Sequence, residues 1–381
     1  MLAVNPRLGM MLTFAIHSAI MGGLFSRIAE VQRDLQLDAE RFGLAMAGMA
    51  VGVLIGLPVS AALCDALGTR KLNMLMFAGA AVSVPLVGLA PGFWALFGAV
   101  LLLGLTTSMA NQAMNIEADR VALATGRPLL ALSHAVWGVG FLLSSSLGAL
   151  AIKIGIAPLT QLYLLAALVL AGMALIVVPF RESPPRPHTG ARVARIALPD
   201  RANVALLGYA ASGLVAEMIL RNWSVIYLRD IFGAADWLAA LSLPMFVLTQ
   251  TAGRFGLAGL AARFGVGPVA QALTATTLVG IVLMVLAGGY GVAMLGCALI
   301  GLGSAATYPL AFSALARMTS RTAGENMAGF SILQNLLWLV TPPLFGMVAT
   351  GVDMRLALAL MAPLPVLALF HVRQVAVGRM T

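Results

Sequence analysis

Apolar blocks recur along the whole chain, separated by short breaks that carry charges, Pro or Gly. A hydrocarbon core of about 30 Å is crossed by about 20 apolar residues in a helix. The pattern predicts twelve such helices, over 8–26, 42–64, 72–90, 93–116, 129–152, 158–180, 203–220 or slightly beyond, 237–262, 268–288, 290–316, 326–350 and 355–372. The first block follows a single Arg7 and lacks a small-residue cleavage site, so it reads as a retained helix and not a signal peptide.

Composition agrees. Of 381 residues, 61% are hydrophobic and 10% charged, and the mean hydropathy is +0.98. Soluble domains carry roughly a quarter charged residues, so this chain has too few to cover a water-facing surface. The net charge of +9 does not imply nucleic acid, because the basic residues are scattered between apolar runs and form no patch. With both termini on the cytoplasmic side, inner loops and tails hold about 15 Lys and Arg and outer loops about 7, Arg27, Arg33, Arg221 and Arg229 among the latter. Cys64 and Cys297 have no metal-ligand or disulfide spacing.

The longest polar stretch, Arg181 to Arg201, divides the chain six plus six. The expected domains are 1–180, a cytoplasmic linker 181–201, and 202–381. First spans begin at 8 and 203 and fifth spans at 129 and 326, which predicts a parallel repeat of six helices. Repeats of this kind in transporters place substrate near the bilayer midplane where the halves meet.

After the second span the chain reads Ala61, Ala62, Leu63, Cys64, Asp65, Ala66, Leu67, Gly68, Thr69, Arg70, Lys71. An Asp followed three residues later by Gly and then basic residues resembles the loop signature of the major facilitator superfamily. The resemblance implies a fold of two pseudosymmetric six-helix bundles and an inner gate, falling here to Asp65 with Arg70 or Lys71. Ala61 and Ala66 depart from the pattern, and the second half has Ala262 where Asp would stand, before Arg263, Phe264 and Gly265. Met114 to Ile116, Gly126 to Pro128, His134 to Gly138, and Glu217 followed by Asn222 to Asp230 are similar to a bacterial branch near the fucose-permease sugar transporters.

Ionisable residues at bilayer depth are unfavourable by roughly 2.5–3.5 kcal/mol each and need a reason to be there. Glu217 has Arg221 one turn on: a proton carrier reset by substrate or by Arg221, or an ion pair steadying the span. His17, at the centre of the first span, reads as a proton or substrate ligand, or as a packing histidine. Asn111, Gln112 and Asn115, with His134 and Trp137 at a similar depth, suggest a polar pocket for substrate or for interhelical hydrogen bonds. The second half offers Gln250 and Arg254, Tyr308, and Gln334, Asn335 and Trp338. Arg254 either neutralises an anionic substrate group or snorkels to the surface. Glu117 and Arg127 read as gate residues. Gly48, Gly52 and Gly56, and Gly140, Ser144 and Gly148, form small-residue faces for close packing or for sliding.

No paired carboxylates, metal-ligand cluster or phosphate loop appears, and Gly301 to Gly303 lacks the following Lys, so neither enzyme, metal nor cofactor is expected. The expectation is an all-α, multi-pass bacterial inner-membrane protein, monomeric, moving a small polar solute, sugar-like or weakly anionic, by alternating access with protons. The rivals are proton-driven export of lipophilic drugs and a non-transporting scaffold or sensor.

Overall fold

The computed structural model describes residues 5–184, 198–318 and 322–376, so that linker residues 185–197, Arg186, Arg192 and Arg195 among them, lie outside the described residues, as do Arg321 and Arg379. All regular structure among the described residues is helical. Twelve long helices are present among the described residues: α1 Pro6–Asp34, α2 Ala39–Leu67, α3 Thr69–Gly88, α4 Phe93–Thr125, α5 Leu130–Lys153, α6 Pro158–Val177, α7 Arg201–Phe232, α8 Ser242–Phe264, α9 Val266–Leu286, α10 Tyr290–Arg317, α11 Ala323–Gly351 and α12 Met354–His371. Eleven are long and apolar enough to cross a bilayer; the other is α8, of 23 residues, whose Gln250, Arg254 and Arg263 dilute its apolar content.

Local chemistry sets the ends. Asn5 caps α1 by accepting the Arg7 amide, with Pro6 at the first helical position. Asp200 and Asn203 form a reciprocal capping box on α7, and Thr322 and Glu325 another on α11. Gly126 and Gly233, both in the left-handed region, close α4 and α7. Three helices break where a proline removes the amide that would bond four residues back: Pro244, Pro309 and Pro363 follow Ala240, Ala305 and Ala359 by four. The chain accordingly interrupts between the short helix Asp236–Ala240 and α8, inside α10 after Ser304, and inside α12 after Ala359. The eighth, tenth and twelfth apolar blocks each contain one of these interruptions.

Two spans are longer than their apolar blocks suggest. α4 runs to Thr125 and carries Glu117, Asp119 and Arg120 on the helix, while α7 continues to Phe232 through Arg221 and Arg229. Arg27 and Arg33 also lie within α1, which kinks near Ser26, so these four charges are not loop charges.

The described residues form two compact units. One comprises the described part of Met1–Pro187 with Ala235–Pro244; the other comprises the described parts of His188–Ala234 and Met245–Thr381. In the first unit α1 packs along α5, α2 along α4, and α3 against α4 and α6. A Cβ on Gly52 would stand 2.1 Å from the Leu101 carbonyl oxygen, and one on Gly104 would stand 2.1 Å from that of Met49. The Gly48, Gly52 and Gly56 face is therefore where two backbones of the same unit meet. Gly140 and Gly148 similarly abut Ser18 and Ser26, and the Ser144 hydroxyl donates to the Ala19 carbonyl at 2.7 Å. The first unit also takes in the start of the eighth segment: Arg33 donates to Asp236 at 2.9 Å, and Lys153 lies 4.5 Å from the centre of the Trp237 ring.

In the second unit α7 packs against α10, α11 and α12, and α9 lies along α10. α8 meets α10 where Gly301 faces the Phe246 carbonyl. The units share one local device. α2 turns into α3 through Gly68 at φ 83°, and α8 into α9 through Gly265 at φ 87°, each donating its amide four residues back at 2.9 Å. These glycines carry the repeat expected from the spacing of the spans.

Candidate functional site

The second unit gathers its charges on α7, α8 and α10. Glu217 and Arg221 share a helix face and form an ion pair. Gln250, buried on α8, donates one amide hydrogen to the other Glu217 oxygen at 3.0 Å and lies 3.2 Å from the Ser304 hydroxyl on α10. Ser304 in turn donates to the Gly301 carbonyl at 3.0 Å. Arg254 stands one turn beyond Gln250 and interacts electrostatically with Glu217 and Arg221, but no described residue hydrogen-bonds it, and its Nε is buried without a partner. Tyr308, just after the α10 break, feels both Glu217 and Arg254 and stacks on Phe312 with ring centres 4.2 Å apart. Gln334, Asn335 and Trp338 lie together on α11; Asn335 returns its amide to the Ser331 carbonyl, and its Oδ1 is buried without a partner.

The first unit builds a neutral counterpart. His17 is buried on α1, its Nε2 3.0 Å from the Thr107 carbonyl and its Nδ1 3.0 Å from the Trp137 indole nitrogen on α5. An indole N–H can only donate and a carbonyl can only accept, so Nδ1 is the acceptor and Nε2 carries the hydrogen. That is the neutral imidazole with both nitrogens satisfied. Phe77 meets the ring edge-on at 6.3 Å. His134 is exposed and packs edge-on to Phe14 at 5.1 Å. Asn111, Gln112 and Asn115 are half-buried on α4, with the Asn115 Oδ1 buried and unpartnered.

At the α2–α3 turn the structure uses a different carboxylate from the expected one. Asp65 is exposed on the last turn of α2 and makes no ion pair among the described residues. Glu182, at the start of the linker, accepts the Arg70 amide at 2.7 Å and covers the start of α3 beside Gly68. Glu117 is buried on α4, where it accepts the Thr69 hydroxyl and the Ser183 amide, each at 2.7 Å, with Arg120 3.8 Å away. Lys71 and Arg127 are exposed, and Arg127 does not reach Glu117.

One charged site had no forecast. Arg27, 1% exposed, donates to Glu30 at 2.7 Å, to Gln161 at 2.7 Å and to the Ile156 carbonyl at 2.6 Å, and Gln161 reaches back to the Gly23 carbonyl and the Ser26 hydroxyl. Its signal was Arg27 and Glu30 one turn apart, with Gln161 at the start of the sixth apolar block.

A family model described as Major Facilitator Superfamily matches residues 10–265. The chain belongs to that superfamily. It is a membrane transporter and not an enzyme. It is similar to an uncharacterized transporter, y4wD, of Sinorhizobium fredii (strain NBRC 101917 / NGR234), with 29% identity over 359 residues and 93% of each chain covered. Among solved structures it resembles a mutant form of the nucleoside transporter NupG, at 14% identity, TM-score 0.80 and coverage of 97% of this chain and 100% of the other. It also resembles a D-xylose-proton symporter at 14% identity, TM-score 0.74 and coverage of 96% and 97%. At those identities the likeness is one of fold.

Proposed function

We propose that the chain moves a small polar solute, sugar-like or weakly anionic, across the bacterial inner membrane by alternating access, with Glu217 carrying the coupling proton and both termini in the cytoplasm. The observation that supports this is the Glu217 cluster. Its carboxylate lies within a membrane-spanning helix, held by partners on α7 and α8 that can compete with a solute for it. Protonation would remove the charge attraction to Arg221 and Arg254, changing which polar partners are open. Such a change needs to contribute only about 1–3 kcal/mol to reverse the favoured state. The proton-binding role expected of His17 draws no support from its geometry, since both ring nitrogens are already matched. The gating reading of Asp65, Arg70 and Lys71 stands beside the Glu117 and Glu182 contacts, which tie the start of the linker to α3 and α4.

Drug export draws on an apolar cavity of about 230 Å³ in the second unit, lined by Val215, Ile219, Leu337, Leu344, Phe345 and Met361 among others. The test of both readings is uptake and dye binding by purified protein in proteoliposomes under an imposed pH gradient, with a broad metabolite panel, comparing the parent with Glu217→Gln. The proposal expects gradient-driven accumulation of polar solutes that falls by at least about tenfold, equivalent to 1.4 kcal/mol, in the variant. Unchanged coupling in Glu217→Gln removes Glu217 from the mechanism, and dye binding with no response to polar solutes favours export.

A further inference from the structure

The α7, α8 and α10 cluster holds two guanidiniums and one carboxylate. Both Glu217 oxygens are taken, one by Arg221 and the other by Gln250. Arg254 is therefore left at helix depth with no hydrogen-bonding partner among the described residues and a buried Nε. An uncompensated charge in a membrane-spanning helix is unfavourable, and sites that retain one generally do so for a ligand or an ion path.

We infer that Arg254 binds the carboxylate of a singly charged, hydroxylated organic acid, so that the transported solute is of the sugar-acid type and not a neutral sugar. The inference rests on the transport reading above and names the solute class for the same site.

Charge sets the valence. One carboxylate brings the net +1 of Glu217, Arg221 and Arg254 to zero; a neutral sugar would leave Arg254 uncompensated, and a dianion would leave the cluster at −1. Geometry sets the group, because a planar guanidinium presents parallel N–H donors that match a carboxylate bidentately. The surrounding residues suit the rest of such a molecule. Gln250 and Ser304 are engaged with Glu217 and the Gly301 carbonyl and hold that carboxylate in place, while the Tyr308 ring, stacked on Phe312, offers a face and a phenol close enough to feel Arg254. An arginine that merely snorkelled would need none of these neighbours and would place no demand on the solute's charge.

The experiment uses the full chain in proteoliposomes and matched pairs of neutral sugars and their acids, such as glucose with gluconate and glucuronate, with lactate as a short hydroxy acid. Uptake is measured together with ligand-induced thermal stabilisation. The acids are expected to bind and move while their neutral partners do so at least about tenfold less well. Arg254→Gln is expected to weaken acid binding by about 10- to 100-fold, the range for a lost charge-assisted hydrogen bond in a shielded site. Arg254→Lys should retain part of the preference, and ligand-free unfolding temperatures show whether each variant is folded. Neutral sugars moving as well as their acids, or a folded Arg254→Gln that keeps the preference, would overturn the inference and leave the transport reading standing. If the broad metabolite panel also fails to move, the transport reading falls with it.

Discussion

At the Arg27 and His17 sites of the first unit and the Glu217 cluster of the second, buried polarity is treated in opposite ways. In the first, donors and acceptors close on themselves: Arg27 has Glu30, Gln161 and a carbonyl, and His17 sits between Trp137 and Thr107. In the second, Glu217 is fully engaged, yet Arg254 remains without a hydrogen bond and the cluster keeps one positive charge in excess. A saturated network resists change, because any movement leaves a buried group unpaired. An undersaturated one has capacity for a ligand. The first unit's matched sites are accordingly read as structural and the second unit's cluster as chemical.

Breaking Arg27 gives the largest expected effect. Arg27→Leu leaves Glu30 buried without its cation, and such a loss destabilises by about 3–5 kcal/mol. Thermal unfolding in detergent should show a large drop, whereas Arg254→Leu, which removes no hydrogen bond, should show little or none. Comparable drops for both would erase the contrast between the units.

A smaller effect is expected where the first unit closes on backbone. Gly52→Ala forces a methyl group against the Leu101 carbonyl, and overpacking of this kind costs about 1–3 kcal/mol. Gly259→Ala on α8, where a Cβ would meet nothing within 4 Å, should be neutral or slightly stabilising in the same assay, since alanine restricts the unfolded chain more than glycine. A tolerated Gly52→Ala would show that α2 and α4 separate readily and that the small-residue face slides.

The smallest effect sharpens the assignment of His17. Trp137→Phe removes the indole donor and leaves Nδ1 without its partner, a change of about 1 kcal/mol in stability. The pH dependence of uptake should keep its midpoint, because His17 is neutral in this arrangement and Glu217 is the proposed carrier. A shifted midpoint would return His17 to the proton path.

Much of this was legible along the chain. The apolar blocks located the twelve helices, because lipid demands a continuous apolar surface and an internally bonded backbone. Glu217 with Arg221, and Gln250 with Arg254, stood out as i, i+4 neighbours, a spacing that puts both side chains of a pair on one face. Other features were hidden. The lengths of α4 and α7 were underestimated, since Glu117, Arg120, Arg221 and Arg229 look like loop residues in an apolar pattern although all four stand on the helices. Arg27 was counted among exterior charges for the same reason. The three prolines that interrupt α8's approach, α10 and α12 were visible, but Pro58, Pro85, Pro342 and Pro343 lie inside unbroken helices, so proline alone does not mark a break.

By itself the sequence determined the solvent of this protein, the number of its crossings, the internal repeat seen at Gly68 and Gly265, and the membership of its polar residues in a few helices. These follow from composition and from short-range periodicity, which act within one helix. Only the tertiary structure decided which of those polar residues are matched. How completely Arg27, His17, Glu217 or Arg254 is matched depends on groups that are distant in the chain, such as Gln161, Trp137 and Gln250, and no local pattern specifies which side chains the packing of helices will bring within about 3 Å.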